Sequence, residues 1–151
     1  MTHSYAQAWM HIVFSTKERK AFLADKTVRA AVHTYLAGVC RQMGSQALIV
    51  GGIGDHVHIL CNQSKNVAMR DLVQRLKQGS SLWIKRQWPA LGNFYWQEGY
   101  AHFSVSPSLL EQARAYIANQ EQHHRVEDFQ DEYRAFLIRA KIPFNEQDLW
   151  D

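Results

Sequence analysis

The chain predicts an α+β fold in which one antiparallel sheet is covered by helices, and three observations carry that prediction. Apolar and β-branched residues gather in short strand-like runs. Longer segments repeat their apolar residues at helical spacing, and the two kinds follow one another as β-α-β-β-α-β before further helices. That order is the split-βαβ, ferredoxin-like plan with additional C-terminal helices.

Each element has its own signal. "AQAWMHIVF" is a dense apolar run ended by the charged "KERK", which suits a mostly buried first strand. From about Asp25 to Met43, Val28, Ala31, Val32, Tyr35, Leu36 and Val39 recur at helical spacing, and Gly44 follows where a helix end favours positive φ. "QALIVGGIGDHVHILCN" reads as two strands joined by glycine and aspartate, a hairpin. An amphipathic helix over about 67–87 turns Leu72, Leu76, Trp83 and Ile84 inward and stops before Pro89. The aromatic-rich "FYWQEGYAHFSVS" contains a short extended piece and then a strand, broken at Ser106-Pro107. Ser108 is placed to cap a helix from Leu109 to about His124, and a last helix covers roughly 129–140.

With 151 residues, 46% hydrophobic and 21% charged, the chain supports one core, read as a single domain over 1–151. No stretch approaches the roughly 18 apolar residues of a membrane span, and the N-terminus lacks the basic-then-apolar order of a signal peptide, so a cytoplasmic location is expected. Cys40 and Cys61 have no short-range metal spacing and read as reduced core residues. The net charge is only +3, but it is unevenly placed. Lys65, Arg70, Arg75, Lys77, Lys85 and Arg86 face Asp71 alone in one segment, whereas residues 121–132 are mainly acidic. The pattern fits either one anion-facing surface or ordinary solvated helix faces.

The hairpin strand "GDHVHIL" raises the chemical question. Residues two apart share a face of a strand, so His56 and His58 project together, near enough to grip one metal ion or to sit as two partly exposed histidines at a strand end. Asp55, beside them, is either a turn residue or a carboxylate that orients an imidazole. In "EQARAYIANQ", Tyr116 stands one helical turn from Gln120, and no other tyrosine has a glutamine four residues on. Alone, this pair also fits a core tyrosine and a solvent-facing glutamine.

Taken together and in this order, the stretches "HIVFSTKERK", "GDHVHIL", "LVQRLKQGSSLWI", "WQEGYAHFSV" and "YIANQ" resemble the single-tyrosine HUH transposases of the insertion-sequence 200/605 group and their domesticated relatives associated with repetitive extragenic palindromes. The resemblance runs from about Tyr5 to Ile142, and "NQEQHHR" and "FQDEYRAFL" look like a C-terminal extension. It implies that His56, His58 and Gln120 are metal ligands and that Tyr116 is the nucleophile. It also implies Mg²⁺, or Mn²⁺ in its place, as cofactor, single-stranded DNA with hairpin ends as substrate, and a homodimer. The residue types agree: a phenol of pKa about 10 needs help to attack, and a divalent ion can polarise the scissile phosphate.

Lys17, Arg19, Arg70, Arg75, Lys77, Lys85 and Arg86 are the candidate phosphate contacts, with Lys20 in the same small cluster as Lys17 and Arg19. Phe94, Tyr95 and Trp96 either stack on exposed bases or pack in the core. The rival from another class is a non-catalytic nucleic-acid-binding module on the same fold. A domesticated endonuclease acting on chromosomal palindromes would share the site.

Overall fold

A computed structural model describes residues 3–150. Four strands form one antiparallel sheet in the order β2-β3-β1-β4: β1 (Trp9–Ser15), β2 (Ala47–Ile53), β3 (His56–Asn62) and β4 (Ala101–Ser104). The helices between them are α1 (Lys26–Gln42) and α2 (Met69–Gln87), which gives the expected βαββαβ order. After β4 come α3 (Leu110–Ala118), α4 (Gln120–His123), α5 (Phe129–Arg139) and α6 (Glu146–Leu149). Among the described residues no helix is long and apolar enough to cross a membrane.

Strand alternation divides the sheet into two chemically different faces. Ile12 and Phe14 of β1 and Val57, Ile59 and Cys61 of β3 join Val32, Leu36, Leu72, Leu76 and Ile84 of α1 and α2 in the main core. Burying each such side chain contributes about 1.5–3 kcal/mol, so this face holds the domain together. The other face carries His11, Val13, His56 and His58, and α5 covers it with Phe129. A strand as apolar as β1 is compatible with an edge or a centre by composition; pairing with both β3 and β4 makes it central.

Local signals explain the helix ends. Asp25 caps α1 by accepting from the Thr27 and Val28 amides at 2.8 and 3.0 Å, and Gly44 follows with φ of 67°. The helix expected from Leu109 to His124 differs in two respects. Ser108 does not cap it: a 3₁₀ turn, Pro107–Leu109, leads into α3, and the Ser108 hydroxyl faces that of Ser106 at 3.0 Å. The helix also breaks at Asn119, whose φ and ψ of −101° and 24° lie outside the helical range and whose amide is shared between the Ala115 and Tyr116 carbonyls. Asparagine is a weak helix former, and here it separates α3 from α4.

The aromatic run divides. Phe94 and Trp96 are buried in the main core, with Trp96 Nε1 donating to Ser80 Oγ at 2.9 Å, whereas Tyr95 is 58% exposed under the Lys85 ammonium, 3.8 Å from its ring centre. Cys40 and Cys61 are both buried thiols, as expected. Trp83 lies at the edge of the core, stacked on Tyr35 at 4.6 Å.

Candidate metal and nucleophile site

The histidines of β3 are held by pairing on both sides. Ser15 and Val13 of β1 lie opposite His56 and His58, and Ile53 and Gly51 of β2 lie opposite them on the other flank. Both imidazoles are fully buried, which removes the reading of a partly exposed pair. Asp55 is at once the turn residue and the imidazole partner: its Oδ1 accepts from His56 Nδ1 at 2.7 Å, and its carbonyl accepts from the Thr16 amide and hydroxyl at 2.9 and 3.1 Å. His58 Nδ1 meets His11 Nε2 at 2.8 Å.

Gln120 comes to this point from α4. Its Oε1 lies 2.9 Å from His56 Nε2, and the residue is 1% exposed rather than solvent-facing. Two features set its position. Arg29 of α1 pairs with Glu121 at 2.6 Å, drawing α4 toward the sheet, and Gly51 lets α3 approach β2 closely: a Cβ there would lie 2.5 Å from the Ile117 carbonyl oxygen. Glycine inside a strand commonly marks such an approach.

The residue that the sequence reading missed is Glu132 of α5. It is 2% exposed, its Oε1 accepts from His58 Nε2 at 3.0 Å, and its Oε2 accepts both from Gln120 Nε2 at 3.1 Å and from the Tyr116 hydroxyl. His123 and His124 were also read only as part of an extension. His123 Nε2 lies 3.2 Å from the Tyr116 oxygen, and His124 Nε2 lies 3.0 Å from Gln120 Oε1. A signal was available: Phe129, Glu132, Tyr133 and Phe136 recur at helical spacing, so a carboxylate interrupts an aromatic face that points inward.

The electrostatics follow from burial and this one carboxylate. Burial opposes protonation of His56, but its bonds to Asp55 and Glu132 outweigh that and raise it to about 9. His58 is lowered to about 4 by burial, and its charged neighbour His56 adds to the shift. Burial, with the charge of His58, lowers His11 to about 3. Glu132 is pulled well below the usual carboxylate range, because hydrogen bonds from His124, His56 and His58 override the burial penalty. Burial and then the bond to Glu132 push the Tyr116 phenol up. Charge therefore resides on the Glu132 carboxylate and the His56 imidazole, and Tyr116 holds its proton.

The donor set suits a divalent cation. His56, His58 and Glu132 offer one ligand atom each within 4.8 Å of one another, and Gln120 Oε1 faces the same point. A cavity of about 580 Å³, lined in part by His11, Phe103, Tyr116, His123, Glu132 and Arg139, opens beside the nucleophile candidate.

The basic candidates fall elsewhere. Arg70, Arg75 and Arg86 are exposed on α2, on the far side of the sheet from Tyr116. Lys85 covers Tyr95, Lys17 is exposed, and Arg19 lies over the Trp150 ring at 5.2 Å. Lys77 donates to the Gln97 and Gly99 carbonyls at 2.7 and 2.5 Å, so its ammonium fixes the segment before β4. An open groove of about 950 Å³, bordered by Arg70, Lys77, Trp96 and Tyr100, runs along that segment.

An antiparallel α+β sheet bearing paired histidines, with a tyrosine and a buried carboxylate packed over them, is the class of protein that fold and site define. Residues 4–120 match the family described as Transposase IS200 like, and the chain belongs to that family, whose general activity is to cut and rejoin DNA. It is 26% identical over 115 residues, 73% of this chain and 81% of the relative, to the ISDra2 transposase TnpA of Deinococcus radiodurans. A crystal structure of a transposase from Deinococcus radiodurans R1 superposes with a TM-score of 0.65 at 25% identity, covering 80% of this chain and 95% of that one. A REP-associated tyrosine transposase bound to a REP hairpin shares the fold, with a TM-score of 0.59 at 12% identity over 82% of this chain and 73% of that one.

Proposed function

We propose that this chain is a metal-dependent transposase of single-stranded DNA that cuts and rejoins hairpin-bearing substrates through a covalent 5′-phosphotyrosine at Tyr116. The observation that carries the reading is that Tyr116 and the three candidate ligands His56, His58 and Gln120, from separate parts of the chain, converge on one buried carboxylate.

In the reaction, Tyr116 Oη forms a bond to phosphorus as the bond from phosphorus to the 3′ oxygen breaks. Glu132 Oε2, which accepts that hydroxyl, orients the phenol; the phenolic proton leaves to solvent as the bond to phosphorus forms, and the departing 3′ oxygen takes a proton from solvent. A 3′ hydroxyl attacking the phosphotyrosine reverses the step and joins strands without another energy source. His56, His58 and Gln120 would hold a divalent cation, Mg²⁺ or Mn²⁺, which would polarise a phosphoryl oxygen and offset the negative charge beside the phenol.

The substrate reading rests on placement. The groove between α2 and the 96–100 segment and the cavity beside Tyr116 lie on either side of β4, so a hairpin stem on the basic face can send its single strand round the β4 edge to the nucleophile. Arg70, Arg75, Arg86, Lys85, Lys17 and Arg19 are the phosphate contacts in this reading, Tyr95 a stacking surface, and Lys77 supports the groove wall. Among the described residues no strand pairs with the outer edge of β4, a place where a second copy could add a strand, and this supports a homodimer.

The test is incubation of labelled single-stranded hairpins with wild type and Tyr116→Phe, with Mn²⁺ or Mg²⁺, on a denaturing gel. A covalent band lost in the variant is expected. Binding of hairpins from the flanking DNA with no attachment under either metal would replace this reading with a binding module.

A further inference from the structure

We infer that His123 is a further catalytic residue: its Nε2 hydrogen bonds the phenolic oxygen of Tyr116 and stabilises the phenolate, both as Tyr116 attacks phosphorus and as it departs during strand joining. The inference rests on the nucleophile reading above and deepens it. His123 lies beyond residues 4–120, the region that matches the family.

The hydrogen positions follow from the oxygens gathered around one nitrogen. His123 Nε2 lies 2.7 Å from Glu127 Oε2, 3.2 Å from Tyr116 Oη and 3.4 Å from Glu132 Oε2. Carboxylate oxygens accept, so Nε2 is a ring nitrogen that carries hydrogen. Tyr116 gives its one hydrogen to Glu132 Oε2, which leaves the lone pairs of Oη to accept from His123. Gln120 also reaches the phenol, but its amide nitrogen donates to Glu132 Oε2 and its carbonyl oxygen faces His56. His123 is therefore the group placed to donate to Oη throughout the reaction.

The imidazole is also held in place for this task. Its ring stands edge-on to that of Tyr116, with centres 5.0 Å apart and planes at 62°. Glu127 is fixed at both ends: its carboxylate meets His123 Nε2, and its main-chain carbonyl accepts from His124 Nδ1 at 2.7 Å. The turn after α4 is thereby tied to both histidines. The His123 side chain is nonetheless 27% exposed. It borders the cavity of about 580 Å³ and a second of about 550 Å³ that Gln112 and Asn119 also line, so DNA reaching Tyr116 from either side meets it.

The chemistry calls for such a donor, because a phenolate formed here is half-buried and lies beside the Glu132 carboxylate. In attack, the bond from Oη to phosphorus forms as that to the 3′ oxygen breaks; the phenolic proton leaves to solvent, and the 3′ oxygen takes one from solvent. In joining, a 3′ hydroxyl loses its proton to solvent as it bonds to phosphorus, and Oη departs with its bonding electron pair and regains a proton from solvent. His123 keeps its own hydrogen in both directions and shares it with Oη as negative charge develops there. A donor aimed at developing charge contributes about 100–1,000-fold in rate.

The experiment follows both directions in the full chain with Mn²⁺: single-turnover attachment of a labelled hairpin, then joining, started by adding a strand with a 3′ hydroxyl to the isolated adduct. Wild type is compared with His123→Phe, which keeps an aromatic ring against Tyr116, and with His123→Ala. Each is made with Tyr116 and with a difluorinated tyrosine in its place. Two replacements of different size keep the test standing if melting curves show that one has not folded. Both should lose about 100–1,000-fold in attachment and in joining, with hairpin binding unchanged. The more acidic fluorinated phenol should restore joining in the variants by about tenfold or more and change wild type less, since a better leaving group depends less on the donor. A folded variant that attaches and joins at close to wild-type rates overturns the inference. So does a defect that the fluorinated phenol leaves unchanged, which is the mark of a ring that only packs. If wild type forms no adduct, the nucleophile reading itself falls.

Discussion

Gly51→Ala is a one-methyl perturbation placed between the histidine strand and the nucleophile helix. The new Cβ would sit 2.5 Å from the Ile117 carbonyl oxygen and 2.7 Å from its Cγ2. An ordinary contact needs about 3.4 Å, so α3 must retreat by roughly 0.9 Å from β2 or the strand must bow away. Overpacking of this kind costs about 1–3 kcal/mol. At about 2–4 °C per kcal/mol for a chain of this size, the thermal midpoint should fall by roughly 2–12 °C. Because Tyr116 precedes Ile117 and His58 pairs with Gly51, the retreat opens the gap between phenol and ligands. A displacement near 1 Å costs about 100-fold in the rate of a positioned reaction. The assay is single-turnover formation of the covalent adduct beside a melting curve, both for Gly51→Ala and for Gly38→Ala, whose added methyl has only the end of the Arg41 side chain 4.0 Å away. A Gly51→Ala protein that melts and reacts like wild type would refute the claim that α3 is seated on this glycine.

Further predictions concern other parts of the chain. Asp55→Asn weakens the orienting bond to His56 and should reduce Mn²⁺ affinity by about 10–100-fold in a titration read by electron paramagnetic resonance, with little change in melting; unchanged affinity would show that pairing alone holds the ring. Phe94→Ala should destabilise the fold by about 3–5 kcal/mol in urea, whereas Tyr95→Ala should leave stability within about 0.5 kcal/mol and weaken hairpin binding by about 1–3 kcal/mol. The reverse pattern would exchange their roles. His33, through burial and then the charges of Arg29 and His56, and His102, through burial, are both lowered to about 4 from 6.5. The unfolded chain binds more protons between those values, so their stability contribution is complete above pH 6.5 and is lost as pH falls through 4. Urea midpoints should decline over that window; a flat profile would contradict the burial argument.

Much of this site was legible because two of its relations are local. Strand period two put His56 and His58 on one face, and a four-residue helical step put Tyr116 near Gln120. The second relation survived a helix break at Asn119 that periodicity did not show, since the chain resumes helical turns at once. Glu132 was less accessible. It reaches the histidines across 76 and 74 residues of sequence from a helix beyond a second turn, and only tertiary packing reveals which side of α5 faces in. Its trace in the sequence was an acid among inward aromatics. The aromatic run shows another limit: Phe94 and Trp96 bury their rings and Tyr95 does not, a division decided by the bridge between Thr16 and Trp96.

The turn Gly54-Asp55 also acts as a parity device. Its carbonyls are tied to Leu23 and Thr16, so the hairpin cannot creep along β1 without breaking those bonds. A slip of one residue would exchange even positions for odd ones along β3, driving both imidazoles into the apolar core and presenting Val57 and Ile59 to the carboxylate. An insertion or deletion of one residue that shifted β3 by one position would thus dismantle the proposed site while leaving every donor encoded. In the proposed reading, the length of a two-residue loop matters to the site as much as the identity of its histidines.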